Sequence, residues 1–158
     1  MSILFSGSEL INIAIGIERR GITFYDIMAR SADSETARRV FGRLADMERD
    51  HIKIFQDMLG EADKYRPEGT TREYADYFQA LVENSVFTED MITSETSMQT
   101  DSDIKALELG IMAEKDSILF YYQLRDVMSP RALPIIDRVI AEEKSHLSQL
   151  SGVKKELA

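Results

Sequence analysis

The chain of 158 residues has no cysteine and only three prolines. Without thiols, a disulfide framework, a cysteine zinc site, an iron–sulfur centre and a thiol nucleophile are all excluded together. The absence suits a reducing cytoplasm, where the protein is expected to stay. Long apolar runs are also missing: no segment approaches the ~18 residues of a membrane span. Residues 11–17 are the nearest thing to one, but Asn12 and Gly16 interrupt them and no basic leader precedes them. They read as part of a core helix rather than a signal peptide. Basic residues are scarce beside acidic ones, 19 against 28, for a formal charge of −9 and a pI near 4.8. That balance argues against nucleic acid, whose affinity comes from Lys and Arg on phosphates, and against an anionic membrane surface. No G-x-S-x-G, P-loop, glycine-rich dinucleotide turn or His-Glu-x-x-His occurs.

Helix formers dominate what is there, and at this length one domain can bury about two-thirds of its unfolded surface. Apolar residues recur at steps of three and four in four stretches, which predicts an all-α fold. The first runs from about Ser8 to about Arg30, with Ile11, Ala14, Glu18, Ile22, Tyr25 and Ala29 in its seam. The second starts near Asp33 or Ser34 and ends at Gly60; its seam is Ala37, Phe41, Leu44, Glu48, His51, Phe55 and Met58. The third runs from about Ser102 to about Met128 through Ile104, Leu107, Ile111, Glu114, Ile118 and Tyr121. The fourth opens at Ser129-Pro130 and carries Ile136, Ile140, Glu143, Leu147 and Leu150. Pro134 fits this helix only if it begins later or its first turn is distorted. Short links make each pair a helical hairpin. Residues 61–101 form a long crossover, within which Tyr74, Tyr77 or Phe78, Leu81, Val82 and Val86 keep a helical period.

The two hairpins resemble each other. Glu18, Ile22, Phe24 and Tyr25 line up with Glu114, Ile118, Phe120 and Tyr121 at an offset of 96 residues. Arg43, Glu48 and His51 line up with Arg138, Glu143 and His146 at an offset of 95. Two hairpins so marked indicate an internal duplication.

Four glutamates, Glu18, Glu48, Glu114 and Glu143, thus lie inside apolar seams, where an unpaired carboxylate is costly. The chain has only two histidines, and each follows one of these glutamates by three residues. With 15 glutamates in 158 residues, both histidines would show that spacing by chance roughly once in a hundred. On a helix that step places Glu and His on one side, one above the other, so that both reach one metal cluster. Four carboxylates balance two divalent ions, and mixed carboxylate–imidazole ligation suits iron or manganese better than magnesium, with zinc also able to enter. The remaining acidic residues, Glu142 among them, read as solvated faces. Arg43 and Arg138 read as surface ion-pair partners, and Met47 and Met112 as core filler.

One Glu from each of two helices plus Glu-x-x-His from each of the other two resembles the ferritin-like di-iron and di-manganese carboxylate proteins. The chain is most similar to the erythrin domain of rubrerythrin, over nearly its whole length. The resemblance implies a ferritin-like four-helix bundle, made of two hairpins with one long crossover carrying a helix. It implies two iron ions, with manganese or zinc as alternatives. Glu48 and Glu143 would bridge the metals, Glu18 and Glu114 would be terminal, and His51 and His146 would each bind one metal. Tyr25, and Tyr121 or Tyr122, resemble the tyrosines that hydrogen-bond the carboxylates in that family.

Two departures stand out: a chain without cysteine carries no rubredoxin-like domain, and Ser117 stands where rubrerythrin has a further glutamate. The function implied is reduction of hydrogen peroxide or oxygen with electrons from a separate donor protein, in a homodimer. The alternatives are an iron-handling ferroxidase or storage subunit, or a helical interaction protein stabilised by metal. Gly21 and Ser117 occupy, on helices one and three, the positions that the histidines fill on helices two and four. Both are small, and substrate is expected to approach the cluster beside them.

Overall fold

Helix α1 (Gly7–Ser31) opens on Ser6, not Ser8: the Ser6 hydroxyl accepts from Glu9 N at 3.1 Å, satisfying one of the helix's orphan donors. The structure, a computed structural model, describes residues 5–67, 72–87 and 102–158. Helix α2 (Glu35–Gly60) is capped by Ser34 in the same manner, through Ala37 N. A 3-10 turn follows at Ala62–Tyr65, and the crossover carries α3 (Arg72–Glu83). The rest of the expected crossover at 68–71 and 88–101 lies outside the described residues. Helix α4 (Asp103–Val127) is capped by Ser102. A second 3-10 turn, Pro130–Ala132, then leads into α5 (Leu133–Leu157). The fourth helix therefore begins later than Ser129-Pro130. Pro134 lies in its first turn, where a missing N–H costs nothing. Among the described residues there is no strand, and no helix is long and apolar enough to cross a membrane.

α1 packs along α2, and α4 along α5. Both hairpins are antiparallel. Ala29 lies against Gly42 while Glu18 lies near His51; Arg125 pairs with Asp137 while Glu108 pairs with Lys154. The fold is a ferritin-like four-helix bundle with α3 laid on α4, where Phe78 meets Phe120 at 4.7 Å between ring centroids. Asp103 ties the start of α4 to the first hairpin, its two carboxylate oxygens accepting from Asp33 N and Ser34 N at 2.9 and 2.7 Å.

The apolar core comes in two parts. One gathers Leu10, Ile11, Phe55, Phe120 and Leu124, and the other Phe24, Met28, Phe41, Leu44 and Leu107. Each fully buried side chain of this size contributes about 1.5–3 kcal/mol, so the two parts can support a polar layer between them. Gly110 makes the second part possible: a Cβ there would stand 3.2 Å from Leu150 Cδ1 and 3.4 Å from Tyr25 Cε1. The third seam keeps Leu107, Glu114 and Tyr121 buried but departs in part from its expected line. Gly110 and Phe120 are buried, whereas Ile104, Ile111 and Ile118 are only partly so. Met112, expected in the core, is 50% exposed on α4, and Met47 is half-buried.

Candidate metal centre

All six residues singled out by their seam positions converge in the polar layer, and all are buried: Glu18 on α1, Glu48 and His51 on α2, Glu114 on α4, Glu143 and His146 on α5. Their ligand atoms form two overlapping sets, Glu18, Glu48, His51 and Glu143 in one, Glu48, Glu114, Glu143 and His146 in the other. Within each set the atoms lie within 4.8 Å of one another. Ligands on opposite sides of a first-row metal stand about 4–4.4 Å apart, so each set is sized for one ion. Glu48 and Glu143 belong to both sets, as bridging carboxylates must.

Both imidazoles turn Nδ1 inward. His51 Nδ1 lies 3.0–3.4 Å from oxygens of Glu143, Glu48 and Glu18. His146 Nδ1 lies 3.4–3.6 Å from Glu48, Glu143 and Glu114. The rings stack nearly parallel with centroids 5.7 Å apart. Several buried polar atoms have no hydrogen-bond partner among the described residues: Glu114 Oε2, both oxygens of Glu143 and both nitrogens of His146. A folded core leaves such atoms orphaned only at considerable cost. Metal ions would satisfy all of these but His146 Nε2, on the far side of its ring from the cluster, and the donor set fits two.

Without metal, protons must hold the cluster together. Burial, then the charge of Glu48, pushes Glu18 up to about 8, and burial with the neighbouring carboxylates holds Glu143 well above the usual range. Burial also acts on Glu48 and Glu114, but close neighbours, the imidazoles included, outweigh it and hold both low. Burial opposes charge on the imidazoles, yet the carboxylates prevail: His146 is pushed up to about 12, and His51 is raised further.

Two tyrosines brace the layer in mirrored fashion. Tyr25 on α1 donates to Glu114 Oε1 at 2.6 Å, and Tyr121 on α4 donates to Glu18 Oε1. Burial and these carboxylates hold both phenols well above their ordinary value, so they remain donors. Tyr122 does not take part. It is 39% exposed, under the ammonium of Lys144 at 5.2 Å. A neighbour in sequence points about 100° away around a helix, and the match with Tyr25 selects Tyr121.

One residue of the centre escapes the seam pattern. Glu142 Oε2 lies 2.6 Å from His51 Nε2, on the outer side of the ring, and the carboxylate is 30% exposed. Its Oε1 accepts from Arg138 Nε at 3.2 Å. The reading of Glu142 as a solvated residue is corrected: it borders solvent, but it also holds a buried imidazole from the opposite hairpin. Seam periodicity finds residues facing their own pair of helices and misses one that reaches around a neighbour. An acidic residue directly before the Glu-x-x-His was the available signal.

Beside the carboxylates opens a cavity of about 40 Å³, bounded by Glu18, Glu48 and Glu114, flanked by Gly21 and Ser117, and roofed by α3 and the residues after it. A Cβ at Gly21 would meet no atom within 4 Å. Asp116 fixes the roof by accepting from Val86 N at 2.8 Å.

The family model for rubrerythrin matches residues 9–154. The chain belongs to the rubrerythrin family. Among solved structures, this rubrerythrin-family chain is similar to a protein from Thermotoga maritima described as ferritin-like and diiron-carboxylate. The two are 27% identical over the full length of both chains, with a TM-score of 0.71. A DUF305 fragment from Deinococcus radiodurans shares the fold, at 13% identity over 95% of each chain and a TM-score of 0.64. No curated protein matches the chain.

Proposed function

We propose that this protein is a di-iron oxidoreductase that reduces hydrogen peroxide, or dioxygen, with electrons from a separate donor protein. The observation that carries the reading is the cavity beside the carboxylates: it gives a small oxidant room to reach Glu18, Glu48 and Glu114. Reduction of hydrogen peroxide breaks one O–O bond and consumes two electrons and two protons to give two waters. Two ferrous ions would supply one electron each.

The protein's own groups supply the rest. Tyr25 and Tyr121 hold Glu114 and Glu18 in place from outside the layer. Ser117 offers a hydroxyl on the cavity wall, and Phe87 and Phe120 contribute apolar surface to that wall. These 158 residues hold no cysteine for an iron–thiolate relay; in this reading the electrons come from a separate donor protein, and the setting is a homodimer in the cytoplasm.

The test is to load the metal-free protein anaerobically with two ferrous ions, mix it with hydrogen peroxide or with oxygen, and follow the charge-transfer absorbance. The expected result is oxidation of two irons per peroxide, faster than with oxygen. Iron that stays ferrous through the peroxide mix overturns the reading.

Ser117 favours a second reading. The absence of a further glutamate at this cavity-lining position leaves a set of four Glu and two His, closer to an iron-handling ferroxidase. Continued uptake and oxidation of many irons per chain would support that reading over the peroxidase.

A further inference from the structure

The two halves of the centre differ in one respect that matters. Across the internal repeat Glu48 corresponds to Glu143 and His51 to His146, but Met47 stands where Glu142 stands. The consequence lies behind the imidazoles. His51 Nε2 is held by Glu142 at 2.6 Å, and Arg138 steadies Glu142 in turn. His146 Nε2, equally buried, has no hydrogen-bond partner among the described residues.

We propose that Glu142 is a positioning residue for His51 and makes the two metal positions unequal. The position drawing on His51 fills first and holds its ion more tightly; the one drawing on His146 is the exchangeable one. This rests on the reading of the six buried residues as a two-metal centre.

The reason is where the ring proton must go. An imidazole that ligates through Nδ1 carries its proton on Nε2. At His51 that N–H points into a carboxylate, which selects the ligating tautomer, fixes the ring and makes Nδ1 a better donor. At His146 the same N–H is buried with nothing to accept it, so ligation there leaves a donor unsatisfied. Loss of such an outer partner lowers metal affinity by about 10–100-fold, and the same factor is expected between the two positions of the native protein.

Titration of the metal-free protein with cobalt(II), read by its visible ligand-field bands and by competition with a chelator, tests this without reference to activity. The native chain should take up two ions in steps separated by about 10–100-fold. Glu142→Met copies Met47 into the second hairpin; it should weaken the tighter step by about that factor and leave the weaker step where it was. Glu142→Gln retains an acceptor oxygen and should recover part of the loss. Met47→Glu gives His146 the missing acceptor and should strengthen the weaker step, a gain that general damage to the fold would not produce. Circular dichroism checks that each variant is folded, and if Glu142→Met is not, Met47→Glu decides alone. Equal steps in the native protein, equal movement of both steps in Glu142→Met, or no gain in Met47→Glu overturns the inference. Uptake of fewer than two cobalt ions overturns the two-metal reading itself.

Discussion

The Tyr25 hydroxyl reaches across 89 positions of the chain to donate to Glu114 Oε1 at 2.6 Å. Tyr121 repeats the gesture in the other direction, from α4 to Glu18 on α1. Each half of the bundle thus braces a buried carboxylate of the other, and the polar layer links the two hairpins as well as gathering groups that could hold metal.

Tyr25→Phe should therefore leave the buried Glu114 carboxylate without its donor, and Tyr121→Phe should do the same to Glu18. A buried acceptor deprived of its partner costs about 1–3 kcal/mol. Urea unfolding should show a loss in that range for each, while Tyr122→Phe, on the exposed side of α4, should stay within about 0.5 kcal/mol of the native protein. Equal losses at 121 and 122 would mean that the hydroxyl of Tyr121 is not engaged.

Stability of the metal-free protein should fall as pH rises from 6.5 to 8. Glu18 is held at about 8 by burial and the Glu48 charge, against an ordinary 4.5. Its contribution is fully present below 4.5 and is lost as pH rises to about 8, because the unfolded chain releases a proton that the folded one retains. His146 goes from 6.5 to about 12: burial opposes the rise, and Glu114, Glu143 and Glu48 outweigh it. The stabilisation from its charge is complete below 6.5 and declines above it. The two slopes have the same sign in this window, whereas metal binding displaces these protons and tightens with pH. Thermal melts at both pH values, with and without chelator, should show the metal-induced rise in Tm growing toward pH 8. A metal-free Tm that climbs over this window would contradict the gathered carboxylates.

Gly21 sits where an added side chain meets open space at the mouth of the cavity. Gly21→Ala should raise stability by about 0.5–1 kcal/mol, since a helix-interior glycine loses more backbone freedom on folding. Gly21→Leu should keep both metals and slow oxidation by peroxide, measured by stopped-flow absorbance. An unchanged rate would place the substrate's route elsewhere.

Asp103→Ala removes the two acceptors that fasten Asp33 N and Ser34 N to the start of α4. Hydrogen bonds to a charged group are worth about 1.5–3 kcal/mol, so urea unfolding should show a loss of that order, with metal content unchanged. Loss of metal along with stability would show that this junction also sets the position of the ligands.

Sequence alone determined the four long helices, the hairpin pairing and the six buried residues of the candidate metal centre. Helical period is local, and a carboxylate or imidazole inside an apolar seam needs no partner to be conspicuous. The marks shared by the two hairpins did the rest, separating Glu143 from Glu142 by register, while Tyr121 and Tyr122 stayed open until the structure chose between them. Tertiary structure decided what depends on contact between distant segments. It showed that Gly110 lets Leu150 and Tyr25 close in, that the α4 seam shifts to Phe120, and that a small cavity remains under α3. It also turned Glu142 from a solvated residue into the holder of His51. A seam records only the side of a helix that faces its neighbours; it does not record how far a side chain at its edge can reach around them, because that distance is set by how the four helices pack.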